Sequence, residues 1–196
     1  MRQTRMNSWK KLFIALIILN IIVVVGVIFL IFLPTKDEEI ALKDINQDDY
    51  VQFHVQSNKA DLNRLINHYI EEQGLNERIK YNVTLTDQVE LYGTMKVFTQ
   101  DVELKLTFEP ASLDNGDLIL RQKTISIGHL ELPVPVVLKF IRDSYDIPSW
   151  ITIRPNEEEV YVNLHDLKLK SDTKVRVNTF DLKRDNIVFT LLVPIK

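Results

Sequence analysis

Cysteine is missing from all 196 residues of this chain. Its absence excludes disulfide staples, thiolate zinc sites, cysteine nucleophiles and a lipid-modified cysteine. A cysteine-free outer domain also fits a bacterial envelope better than an animal secretory pathway. Glycine is scarce: there are five, and none group into a phosphate-cradling loop. No serine sits in a glycine-flanked nucleophile elbow. Ser126-Ile127-Gly128-His129 brings serine and histidine close, but neighbours along a strand point to opposite faces. The four histidines, His54, His68, His129 and His165, fall in separate elements with no second ligand at metal spacing. Carboxylates cluster at Glu71-Glu72 and Glu157-Glu158-Glu159, at a helix end and a turn, where acids are simply solvated. Asn82-Val83-Thr84 matches a glycosylation sequon, a tripeptide common by chance. These absences predict a protein that is not an enzyme and has no cofactor and no metal.

Charge is missing from one stretch altogether. Leu12–Leu33 is 22 residues without Asp, Glu, Lys or Arg, and 19 of them are Leu, Ile, Val or Phe. As a helix rising ~1.5 Å per residue it spans ~33 Å, against a hydrocarbon core of ~30 Å. Each such side chain near the bilayer centre favours insertion by about 0.3–0.6 kcal/mol, a sum that the lone Asn20 cannot reverse. Arg2, Arg5, Lys10 and Lys11 precede the stretch and Lys36-Asp37-Glu38-Glu39 follow it. The positive-inside rule then predicts a cytoplasmic amino terminus, a cell-membrane anchor and an extracytoplasmic carboxy-terminal domain. Trp9 takes the place of an interfacial aromatic. The competing reading is a cleaved signal peptide. Against it, the apolar run exceeds the usual core, and Phe32-Leu33-Pro34-Thr35 lacks small residues for cleavage. Asn20 as a helix-pairing amide competes with Asn20 as a tolerated polar residue, and Gly26 has no small partner four residues away.

The organisation that follows is a basic tail over 1–11, a transmembrane helix over 12–33, an acidic linker over 34–49 and an α+β domain over 50–196. Beyond the anchor the balance is 20 basic against 27 acidic residues. Clustered Lys and Arg are lacking, which speaks against a nucleic-acid partner.

Alternation of Val51, Phe53 and Val55 predicts a first strand. Ser57 and Asn58 are capping residues for a helix carrying Leu62, Leu65, Ile66, Tyr69 and Ile70 at helical spacing, closed by Gly74. A meander follows: Tyr81–Thr86, Val89–Phe98, then Val102 to Pro110, a turn at Asp114–Asp117, and a return from Leu118. The return changes parity, from Leu118 and Leu120 to Ile125 and Ile127, which predicts a bulge near Gln122–Thr124. Pro133 and Pro135 open a second helix to Tyr145. Strands at Trp150–Arg154, Val160–Leu164, Lys174–Phe180 and Ile187–Val193 complete about eight antiparallel strands and two amphipathic helices. No internal repeat or low-complexity tract interrupts them. Long bending strands predict a long curved sheet.

The candidate site is apolar: Leu62, Leu65, Ile66 and Tyr69 of the first helix with Val137, Phe140, Ile141, Tyr145 and Trp150 of the second region. They form either a groove for a lipid or other apolar ligand or ordinary core.

Several stretches together resemble the YpmS-like family of anchored envelope proteins of low-GC Gram-positive bacteria. They are Ser8–Pro34, Phe108-Glu109-Pro110, Asn115–Leu120 (NGDLIL), Ile127–Val134 (IGHLELPV) and Tyr145–Leu164. The resemblance implies a plasma-membrane protein with its domain facing the wall. It also implies a partner, an extracytoplasmic SGNH-type hydrolase that the protein would tether or regulate. It brings no catalytic residues. In order of elements the chain is also similar to tubular lipid-binding domains, where a curved sheet wraps a helix around an apolar groove.

Overall fold

A computed structural model describes residues 8–31, 49–72, 81–97, 100–127, 133–167, 169 and 172–195. The linker over 34–48, Gly74 and His129 lie outside these residues.

The chain forms two units, Met1–Lys36 and Asp37–Lys196. In the first, α1 (Ser8–Ile31) runs for 24 residues, ~36 Å at ~1.5 Å per residue. It is long and apolar enough to cross a membrane, and none of the window Trp9–Gly26 is buried. Asn20 settles its own polarity: Nδ2 donates to Leu16 O at 3.2 Å, one turn back.

In the second unit the described strands divide between two antiparallel sheets. One holds β1 (Tyr50–Ser57), β9 (Asn186–Pro194) and β8 (Lys174–Asp181), in the order β1-β9-β8. The other holds β2 (Tyr81–Leu85), β3 (Val89–Val97), β4 (Gln100–Ser112), β5 (Leu118–Ile127), β7 (Glu159–Val162) and β6 (Ile151–Arg154), in that order. The meander expected from the sequence is this six-stranded sheet, whereas the first strand joins the last. β4 does not stop at Pro110 but continues to Ser112, with Pro110 opposite Leu120. The β3 ladder has already ended at the Val89–Phe108 pair, so a residue without an N–H is tolerated there. The bulge falls where the parity change placed it: register shifts between Thr107 and Phe108, opposite Thr124 and Gln122. Leu164, expected at the end of a strand, lies in the turn after β7.

Helix α2 (Lys59–Glu72) starts at Asn58, whose Oδ1 accepts from Asp61 N at 2.8 Å. Lys59 N donates to Asp185 Oδ1 at 2.7 Å, tying this helix end to the β8–β9 turn. Helix α3 (Val134–Ser144) begins after Pro133 with no side-chain cap, and Arg142 lies in its last turn. Between the layers, Leu62, Leu106, Phe108, Val137, Leu138, Ile153, Val177 and Ile187 form one buried core.

Candidate functional site

The nine apolar residues singled out from the sequence divide by depth. Leu62 and Val137 are core residues, and Ile66, Ile141 and Trp150 pack against that core. Tyr69 meets Trp150 edge-on with ring centroids 6.2 Å apart, which brings α2 to the turn before β6. Phe140 and Tyr145 form a second T-shaped pair at 6.1 Å, local to the end of α3. Leu65 and Phe140 face solvent.

A more extensive apolar surface lies on the three-stranded sheet. Directly paired residues of an antiparallel ladder share a face. Val175 and Val177 of β8 therefore stand beside Leu191 and Phe189 of β9, which stand beside Phe53 and Val55 of β1. Burial falls steadily along this row. Val175 and Val177 belong to the core, Phe189 and Leu191 are half-buried, and Val51, Phe53 and Val55 are 43%, 52% and 39% exposed. Ile195, hydrogen-bonded through N to Asp49 O at 3.2 Å, extends the row past Val193 and is exposed too. Neither β1 nor β9 contains Asp, Glu, Lys or Arg. The core thus opens at β1 into an uncharged apolar shelf. Alternation along the sequence puts Val51, Phe53 and Val55 on one face. What it could not show is that no other described element covers them.

A densely polar buried cluster is built on Asp117, at the foot of the β4–β5 turn. Its Oδ1 accepts from Leu164 N at 2.8 Å and lies 3.0 Å from His165 Nδ1. Its Oδ2 accepts from Asn115 Nδ2 at 2.6 Å and from the Tyr161 hydroxyl. Burial works to raise the Asp117 pKa, but hydrogen bonds from His165, Tyr161 and Leu164 outweigh it and hold the carboxyl below its ordinary value. Burial, together with the bond to Asp117, pushes the Tyr161 phenol up to about 12. With four partners around its two oxygens, this carboxylate has no acceptor site left for a substrate. It clamps the β4–β5 turn to the segment after β7. Gly116 in that turn has φ +91, and its carbonyl accepts from Val177 N at 2.8 Å, which joins the two sheets.

Of the remaining histidines, His54 is exposed and touches Thr190 Oγ1 at 3.1 Å, and His68 is exposed on α2. Among the described residues no group of three or more His, Asp or Glu is placed to hold a metal ion.

An apolar helix of membrane-spanning length, followed by an α+β domain of two antiparallel sheets, defines the class. The chain belongs to the bacterial family DUF2140, described as an uncharacterized protein conserved in bacteria, whose model matches residues 7–193. It is 31% identical over 189 residues to the uncharacterized protein YpmS of Bacillus subtilis (strain 168), covering 96% of this chain and 99% of that one. No solved structure matches. Two of the motifs that carried the resemblance, Asn115–Leu120 and Tyr145–Leu164, meet at Asp117.

Proposed function

We propose that this is a non-enzymatic, single-pass membrane protein whose extracytoplasmic domain binds an apolar chain, such as a lipid acyl chain, on the shelf of β1 and β9. The observation that carries the reading is the row from Val177 through Phe189 to Val55 and Phe53, apolar throughout yet progressively open to solvent. Exposed contiguous apolar surface is expensive for a water-facing domain and marks a place where something apolar rests. The absence of charge from both strands removes the usual obstacle to burying that face.

The full chain in lipid nanodiscs, irradiated with a diazirine fatty acid, should be labelled mainly within 50–57 and 186–195. Phe53→Asp should abolish that labelling while leaving the far-ultraviolet dichroism unchanged. Even labelling over the whole domain, or none, sinks the reading. Because the chain has no cysteine, orientation is testable with single introduced thiols. A membrane-impermeant maleimide should reach Lys183→Cys in wall-stripped cells and fail to reach Arg5→Cys.

A further inference from the structure

An asparagine followed by glycine carries latent chemistry. The glycine main-chain nitrogen can attack the asparagine side-chain carbon, because no Cβ crowds its approach and its dihedrals turn freely. The N–Cγ bond that forms closes a cyclic imide. The Cγ–Nδ2 bond breaks, and Nδ2 leaves as ammonia with the proton that the glycine nitrogen gives up. Water then opens the imide at either carbonyl, leaving aspartate or isoaspartate with no change in oxidation state. This chain has one such pair, Asn115-Gly116.

The fold holds the reacting atoms of that pair. Gly116 N donates to Leu113 O at 2.9 Å, so its proton is not open to a base. Asn115 Nδ2 donates to Asp117 Oδ2 at 2.6 Å, and Asn115 Oδ1 accepts from Asp117 N at 3.1 Å. The Gly116 carbonyl accepts from Val177 N at 2.8 Å. The Arg176 side chain lies over the glycine, and its Nη2 donates to Asp114 O at 3.2 Å. Gly116 and Asp117 are both buried. Ring closure swings the Asn115–Gly116 peptide, so the bonds at Gly116 N and at Nδ2 must break. A turn pinned to β8 on its other side resists that swing.

We propose that Asn115 is a deamidation site, closed by the contact of the β4–β5 turn with β8 and opened when the two sheets part. The product holds it open. An aspartyl group at 115 puts a carboxylate where Nδ2 now donates to Asp117 Oδ2, so two negative oxygens face each other. An isoaspartyl group also lengthens the main chain of the turn by one carbon, which moves the Gly116 carbonyl off Val177 N. A chain that stays open long enough is thereby marked and cannot reclose. The site is a one-way record of unfolding at the junction between the sheets. It stands whether or not the shelf of β1 and β9 binds an apolar chain.

The test uses the full chain in detergent micelles at mildly alkaline pH, with and without urea. Trypsin releases Leu106–Arg121, which contains a single asparagine and no glutamine, so the mass of that peptide reports Asn115 alone. Conversion should be at least ~tenfold slower in the folded chain than in urea, since it then follows the population of the open turn. Equal rates overturn the proposal. Arg176→Ala, checked for native dichroism, uncovers Gly116 and should speed conversion without urea about fivefold. Asn67→Ala weakens the edge of β2 instead and should leave the rate unchanged. A gain in Asn67→Ala equal to that in Arg176→Ala would place control in global unfolding and overturn the gating by β8. Asn115→Asp supplies the product directly, whereas Asn115→Ala only removes the amide. The aspartate variant should unfold at lower urea than the alanine variant, and equal midpoints overturn the one-way character.

Discussion

Asn67 completes the main-chain hydrogen bonding of Val83: its carboxamide donates to Val83 O at 2.7 Å and accepts from Val83 N at 3.2 Å. Asn63 repeats the arrangement with Leu85, donating to O at 3.1 Å and accepting from N at 2.6 Å. Four residues of α-helix rise ~6 Å, and two residues of strand advance ~6.6 Å. Asparagines at i and i+4 on α2 therefore match alternate residues of β2, and the helix stands in for a missing strand.

Removing either amide strands a donor and an acceptor of β2. Asn63→Ala and Asn67→Ala should each destabilise the domain by about 1–3 kcal/mol, read as lower urea midpoints of the full chain in detergent. Losses under ~0.5 kcal/mol for both would show that water replaces the amides at no cost.

Asp117 should govern stability in acid. Its folded pKa is depressed, so its contribution is present above the unfolded value of ~3.9 and is lost as pH falls through the lower folded value. Asp117→Asn should flatten the stability profile below pH ~4 and cost about 3–5 kcal/mol at neutral pH, because His165, Tyr161 and Leu164 lose a charged acceptor. A parent and variant that lose stability in parallel between pH 5 and 2 would argue against this assignment.

Tyr161 makes the complementary prediction at the alkaline end. Its folded pKa is raised to about 12 from an ordinary 10, so its contribution is complete below pH ~10 and disappears as pH rises through about 12. In a phenolate absorbance titration, the difference between the parent and Tyr161→Phe should be a single transition near 12. A difference transition near 10 would mean that neither burial nor Asp117 holds the phenol protonated.

Gly116 occupies a position closed to side chains. At φ +91, an added Cβ would lie 2.7 Å from Arg176 Cβ. Gly116→Ala should cost more than ~1 kcal/mol, with faster amide exchange at Val177, the donor to the Gly116 carbonyl. Unchanged exchange at Val177 would show that the turn absorbs the methyl group without moving.

Much of the secondary structure was legible because period signals it directly. Val51, Phe53 and Val55 marked β1, Leu62, Ile66 and Ile70 marked α2, and the parity change after Leu120 marked the bulge. Strand partnership was not legible, since nothing local in Tyr50–Ser57 says that its neighbour is Asn186–Pro194. Seven of the nine candidate groove residues lie on α2 and α3, but period cannot separate Val137 in the core from Phe140 in solvent. Asp117 read as one more turn aspartate. Its meeting with Tyr161 and His165 depends on contacts across 44 and 48 residues, which no window along the chain contains.

The β1–β9 ladder also imposes an order on folding. Tyr50 opens the first described strand of the domain, yet its partner, Pro194, closes the last one, β9. A pairing of such sequence separation is slow to close. Until β9 arrives, the nascent domain carries a bare uncharged strand, the species most prone to misassembly. Folding yield should therefore be most sensitive to lesions in β9, far from β1 in sequence.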